Sequence, residues 1–209
     1  MNLSVVIPLI NEQNSLEELV SSISLIINEI NLKYEIILID DGSTDKSWEI
    51  ISKLCALDQN IKGIRFLKNF GKSQALSAGF KASKGEVIIT MDADLQDDPK
   101  EIPELYNKIA IENFDLVSGW KKVRFDSILF KNIPSKIFNL AARITSGIKL
   151  NDFNCGIKAY KQKVVKHIKL TGGMHRYIPV LAKNAGYGRI TEKIVIHHPR
   201  KHGKTKYGI

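Results

Sequence analysis

The first 120 residues alternate between two hydrophobic periods. Residues 3–9, LSVVIPL, are a continuous run of apolar and β-branched side chains, whereas residues 15–30 space Leu16, Leu19, Val20, Ile23, Ile26, Ile27 and Ile30 three and four apart. The first pattern predicts a buried strand and the second an amphipathic helix. The alternation then repeats. EIILID (35–40) predicts a second strand, GSTD supplies turn residues and an N-cap for a helix from Lys46 to Leu57, and IKGIRFL (61–67) predicts a third strand. NFGKSQALSAGFKASKG reads as loop, helix and glycine stop, and EVIITMD (86–92) as a fourth strand. Pro99 opens a helix running to Glu112, and FDLVSG (114–119) is a fifth strand.

Strands alternating with helices imply an α/β, Rossmann-like, mostly parallel sheet covered on both faces. Ligands of such sheets bind beyond the carboxyl ends of the strands. The polar stretches of this chain fall at those ends: NE after the first strand, DDGSTD after the second, NFGK after the third and DADLQ after the fourth. Four loops on one rim predict a site. Past residue 120 the pattern is less regular, with a helix over 133–147, a short strand in CGIKAYK, a helix in RYIPVLAKNAG and a last strand in RITEKIVIHH before the basic tail PRKHGKTKYGI. This half is expected to complete the site rather than fold separately, which predicts one domain over residues 1–209.

Composition narrows the class. Hydrophobic content of 44% and charged content of 25% are those of an ordinary globular protein and argue against disorder. Cys55 and Cys155 lie far apart with no CxxC, which disfavours structural zinc and suits a reducing compartment. No run approaches the 18 or more apolar residues of a membrane span, and MNLSVVIPLINE lacks a basic signal-peptide start, so the expectation is a chain neither spanning nor secreted. The net charge of +9 is unevenly placed: residues 1–120 carry 11 Lys and Arg against 19 Asp and Glu, residues 121–209 carry 20 against 3. A basic half of that size suggests an anionic counterpart, whether nucleic acid, membrane surface or phosphorylated substrate.

ITMDADLQDDP (89–99) carries the candidate chemistry. In an extended segment side chains alternate, so Asp92, Asp94 and Gln96 would share one face and offer three hard oxygen ligands. These suit Mg²⁺ or Mn²⁺, ions held by one or two carboxylates together with substrate phosphates. Asp97 and Asp98 are expected to cap the helix that Pro99 begins. The Asp-x-Asp of a haloacid-dehalogenase-type phosphatase follows the first strand, whereas this one follows the fourth. FGKSQALSAGF has neither the GxxxxGK[ST] spacing of a phosphate loop nor a GxGxxG.

Taken together, VVIPLINEQNSL, LIDDGSTDKS, NFGKSQALSAGF and ITMDADLQDDP resemble the nucleotide-sugar-binding half of family-two glycosyltransferases of the GT-A fold. GWKKVRFDSILFKNIPSKIFN, NDFNCGIKAYK, GMHRYIP and HHPRKHGKTKYG resemble the polyprenyl-phosphate branch of that family, the dolichyl-phosphate mannose synthases and undecaprenyl-phosphate glycosyltransferases. The resemblance implies a nucleotide-sugar and metal half in residues 1–120 and an acceptor half in 121–209. It implies that Pro8, Glu12, Asp40 and Asp41 hold base and ribose, and that Asp92, Ala93 and Asp94 with Gln96 meet the diphosphate and its divalent ion. Lys121, Arg124, Lys131 and Ser135 match positions that bind the acceptor phosphate, although lysine replaces the more usual arginine at the first and third and loses its bidentate fork. Arg200 and Lys206 match a basic loop that reaches the donor diphosphate, and Asp152 a catalytic aspartate. Gly173 stands where relatives often carry an acidic residue.

The expected reaction is an inverting displacement that moves a hexose from a GDP-mannose or UDP-glucose type of donor to a polyprenyl phosphate. A phosphate monoester is largely dianionic at neutral pH and needs little general-base help. Basic residues would then bring two anionic substrates together at the cytoplasmic face of a membrane, with any anchoring segment or anchoring partner outside this chain. One rival is a soluble family-two enzyme acting on a saccharide or protein hydroxyl, which leaves GWKKVR and RKHGKTKY unexplained. The other, a basic nucleic-acid-binding module, is disfavoured by the sparse aromatics and the acidic rim.

Overall fold

The computed structural model describes residues 1–122 and 133–201, excluding the side chains of residues 133–138 and 141. Strands β1 (Leu3–Leu9), β2 (Tyr34–Asp40), β3 (Ile61–Arg65) and β4 (Val87–Thr90) alternate with helices α1 (Leu16–Glu29), α2 (Ser47–Leu57) and α3 (Lys72–Ala82). A 3-10 turn, Pro99–Glu101, leads into α4 (Ile102–Ala110), followed by β5 (Leu116–Trp120) and α5 (Ile133–Ser146). Then come β6 (Lys158–Lys161), α6 (Gln162–His167), a 3-10 turn at Met174–Tyr177, α7 (Ile178–Asn184) and β7 (Ile190–Ile194). α6 has no counterpart in the sequence pattern, being too short to show a helical period.

The strands form one seven-stranded sheet in the order β3-β2-β1-β4-β6-β5-β7. Every residue of β1 and β2 is buried, as strands covered on both faces require. Alternate residues divide between the two faces. Leu3, Val5, Ile7 and Leu9 pack with Leu19 and Ile23 of α1 and Leu105 of α4, whereas Val6, Ile37 and Ile39 pack with Leu76 and Phe80 of α3 and Val164 of α6.

One strand breaks the parallel run and thereby builds the site. β6 is antiparallel to both β4 and β5, with Thr90 opposite Lys158. Its amino end therefore lies beside the carboxyl end of β4, and the preceding NDFNCG loop reaches the same rim as DADLQ. β7 rejoins β5 in parallel and stops at Ile194, short of the run read from the sequence. Beyond it the chain crosses the acidic loop as a strap: Val195 N–H donates to Trp120 O at 3.1 Å, His198 N–H donates to Gln96 O at 2.8 Å, and Asp97 and His197 form an isolated antiparallel bridge.

Candidate active site

The loops after β1 and β2 are locked to each other. Asn11, held at a φ of 53°, accepts on Oδ1 from Thr44 N–H at 2.8 Å, and Glu12 N–H donates to Ser47 Oγ at 2.9 Å. Pro8 lies in β1 opposite Ile39. Asp40, fully buried at the end of β2, accepts from Ser43 N–H on Oδ1 at 2.8 Å. Its Oδ2 accepts no hydrogen bond among the described residues, with Arg65 Nε 3.9 Å away. A buried acceptor in that condition is a ready partner for a ligand N–H. Asp41 is differently employed. Its two oxygens accept from Phe70 N–H at 2.7 Å and Gly71 N–H at 2.9 Å, so its carboxylate orients the loop entering α3, a task the ribose role inferred by resemblance did not include.

The acidic loop departs from the expectation of an extended segment. β4 ends at Thr90, and Leu95 adopts a φ of 61°, so Asp92, Asp94 and Gln96 lie on a bend rather than one alternating face. Asp94 Oδ1 accepts from Gln96 N–H at 3.1 Å, and the Gln96 amide donates to His198 O at 3.2 Å. The Asp92 carboxylate is ion-paired with Lys72 from the start of α3, and Asp94 with Arg200 from the strap. Arg200 also approaches Glu12 at 3.5 Å, linking the rim after β1 to the rim after β4. Asp98 caps the 3-10 turn as expected, accepting from Lys100 N–H at 2.9 Å. Asp97 does not. It is buried, and its carboxylate holds the Lys121 ammonium at 2.8 Å. The same contact leaves the Lys121 side chain only 11% exposed.

Electrostatics separate the paired aspartates. Burial, followed by the neighbouring carboxylates of Asp92 and Asp97, pushes the Asp94 carboxyl up to about 6 in spite of Arg200. Burial acts on Asp92 in the same direction, but Lys72, Lys121 and Lys158 outweigh it and hold that carboxyl at about 2. This loop fits a hard divalent cation. Its carboxylates crowd one another, and a guanidinium already neutralises Asp94. Among the described residues no group of three or more His, Cys, Asp or Glu side chains is placed to hold a metal ion.

Asp152 is buried, and its carboxylate accepts from Asn154 N–H at 3.0 Å within the NDFNCG turn. The turn presses on the acidic loop: a Cβ on Gly156 would lie 2.4 Å from Asp92 Oδ2, so any larger residue there would have to displace that carboxylate. Ala93 is buried between the two aspartates. Arg124, Lys131 and Lys206 lie outside the described residues, and for Ser135 only its place in α5 is described. Lys158 and His175 join the site without having been singled out in the sequence. Lys158 is buried in β6 with its ammonium donating to Cys155 O, and His175 Nδ1 lies 3.1 Å from Ser73 Oγ of α3. A lysine within the apolar run of GIKAY was the available signal for the first. His175 had none beyond its motif.

A profile of glycosyl transferase family 2 matches residues 4–169. The chain belongs to that family. Among curated relatives of this glycosyltransferase, the dodecaprenyl-phosphate galacturonate synthase of Rhizobium johnstonii is 39% identical over 212 residues, covering 100% of this chain and 62% of the relative. The undecaprenyl-phosphate 4-deoxy-4-formamido-L-arabinose transferase of Shewanella sediminis is 41% identical over 207 residues, covering 98% and 61%. The glycosyltransferase chain thus spans about three fifths of the length of these relatives. Glucosyl-3-phosphoglycerate synthase from Mycobacterium tuberculosis, crystallised with Mn²⁺ and UDP-glucose, superposes with a TM-score of 0.72 at 21% identity, over 97% of this chain and 72% of that one. The fold is GT-A-like, as the resemblance implied.

Proposed function

We propose that this chain is an inverting glycosyltransferase domain that moves a sugar from a nucleoside-diphosphate donor to a polyprenyl phosphate. The observation that carries the reading is the meeting of four elements at one rim, where Asp92 pairs with Lys72 and Asp94 with Arg200. Asp40 Oδ2 is the buried acceptor for a base N–H, and Glu12 lies nearby to receive ribose hydroxyls. Asp94 and Asp92 hold the Mg²⁺ or Mn²⁺ of the donor diphosphate. When bound, that ion supplies charge neutralisation to the leaving diphosphate. On donor binding Arg200 exchanges its carboxylate partner for phosphate oxygens, a bidentate geometry its guanidinium suits.

The acceptor phosphate is the nucleophile and arrives dianionic, so no side chain need remove a proton. Asp152 then orients the turn beneath the sugar. The basic half, residues 121–209, supplies the acceptor's countercharges, with Arg124, Lys131 and Ser135 as candidates by resemblance. Two sugar classes come from the relatives, a galacturonate and a formamido-arabinose, and UDP from the structural neighbour. The lipid substrate puts the domain at a membrane surface, and no helix among the described residues is long and apolar enough to cross one. Purified chain is incubated with Mn²⁺, UDP-sugars and either a short-chain polyprenyl phosphate or free saccharides, and nucleotide release is followed. Release dependent on the lipid phosphate is expected; release with saccharides alone would overturn the acceptor assignment.

A further inference from the structure

The 3-10 turn Met174–Tyr177 is fastened to the first turn of α3 by one buried hydroxyl. Ser73 Oγ accepts from His175 N–H at 3.0 Å, and the same oxygen lies 3.1 Å from His175 Nδ1. These two contacts fix the imidazole tautomer. Ser73 is 1% exposed, and a buried hydroxyl proton without an acceptor is costly. Among the described residues Nδ1 is the acceptor within its reach. Ser73 therefore donates to Nδ1, and the neutral ring carries its own proton on Nε2.

Burial, then Lys72, Arg176 and Lys158, pull the imidazole down to about 4 against the opposing pull of Asp92, so the ring is neutral near pH 7. Nε2 is then a fixed N–H donor, and it makes no hydrogen bond among the described residues. The half-buried ring lines a small cavity of about 20 Å³, whose wall also includes Lys72, Thr90, Asn154 and Gly156. Lys72 holds the Asp92 carboxylate and Gly156 packs against it, so the cavity adjoins the first aspartate of the acidic loop. Its size is that of one water or one hydroxyl group. A phosphate oxygen gains most from a charged donor, whereas an uncharged oxygen is served as well by a neutral N–H, which supplies direction without charge.

We propose that His175 Nε2–H donates a hydrogen bond to a hydroxyl of the donor sugar seated beside Asp92, with Ser73 as the positioning residue that sets the ring's tautomer. The inference rests on the donor site proposed above and adds a contact made to the sugar alone. Nucleotide affinity therefore does not depend on it. The turn that carries His175 and the helix that carries Lys72 act as one unit, since Ser73 joins them across 102 positions of chain.

Two amide substitutions separate the ring nitrogens. His175→Gln keeps a donor at the reach of Nε2, whereas His175→Asn reaches only as far as Nδ1, so it can still meet Ser73 but loses the outer donor. Binding of UDP, UDP-glucose, UDP-galactose and UDP-galacturonate to the full chain with Mn²⁺ is measured by calorimetry, and thermal melting reports whether each variant is folded. His175→Asn is expected to weaken UDP-sugar binding about three- to tenfold, the scale of one hydrogen bond, with UDP itself unaffected, and His175→Gln to retain most of the affinity. Side-chain ¹⁵N spectra of the native protein, with the His175 signal identified by its loss in His175→Gln, are expected to show the Nε2–H tautomer and read the ring whether or not the asparagine variant folds. An Nδ1–H tautomer, an equal loss for UDP and UDP-sugars, undiminished sugar binding in folded His175→Asn, or a native chain that binds UDP but none of the three sugars overturns the contact. Failure of UDP itself to bind overturns the donor site beneath it, and the contact with it.

Discussion

Asp94 carries opposing demands in one side chain. Its carboxyl is raised to about 6 by burial and by two neighbouring carboxylates, so the folded, metal-free protein opposes its ionisation. The unfolded chain ionises near the ordinary value of 3.8. The stability this group contributes is therefore complete below that value and is lost as pH rises through 6. Asp94→Asn is expected to raise metal-free stability at pH 7.5 by about 1–2 kcal/mol, with no gain near pH 4, as read by thermal melting at both values. The same variant is expected to abolish metal-dependent UDP binding in calorimetry; retained binding would remove Asp94 from the metal site. Of the four aspartates in MDADLQDDP, Asp98 was legible as a cap because capping is local. The Lys121 partnership of Asp97 was not, because it spans 24 positions and depends on how β5 and the acidic loop meet.

At the scale of elements, regular structure was readable and its junctions were not. β1, β2 and α1 follow from continuous apolar runs or from spacing by threes and fours, since the strands are buried on both faces and the helix on one. The antiparallel setting of β6 was hidden, because four residues carry no direction. Two junctions support specific expectations. Gly71 begins α3 at a φ of 92° with open space where a Cβ would go, so Gly71→Ala meets backbone strain alone. It is expected to cost about 1–3 kcal/mol in chemical denaturation. Asp41→Ala removes the acceptor for Phe70 N–H and Gly71 N–H, and is expected to cost a similar amount while loosening the loop that presents Lys72. Unchanged stability in both variants would show that this loop is held by other contacts.

The whole molecule is electrically divided, with the acidic excess in residues 1–120 and the basic excess in 121–209. Inside the fold the halves are joined by long-range ion pairs: Lys121 to Asp97, Lys193 to Glu101, Arg200 to Asp94 and Lys201 to Glu18. These use only part of the positive charge. The remainder is expected to bind vesicles containing anionic lipid and to release them as salt rises from about 0.05 to 0.5 M, where the Debye length becomes shorter than a side chain. Flotation that is insensitive to salt would argue for apolar attachment instead.

Arg200 touches the loops after β1 and β4 at once, from one of the last residues the structure describes. Any cation that takes its place on Asp94 must unfasten the strap, so occupancy of the centre becomes visible at the periphery. A fluorophore attached near residue 201 would then report donor and metal arrival without a labelled substrate, and the dose of Mn²⁺ that shifts its signal would measure how firmly the protein holds its own stand-in.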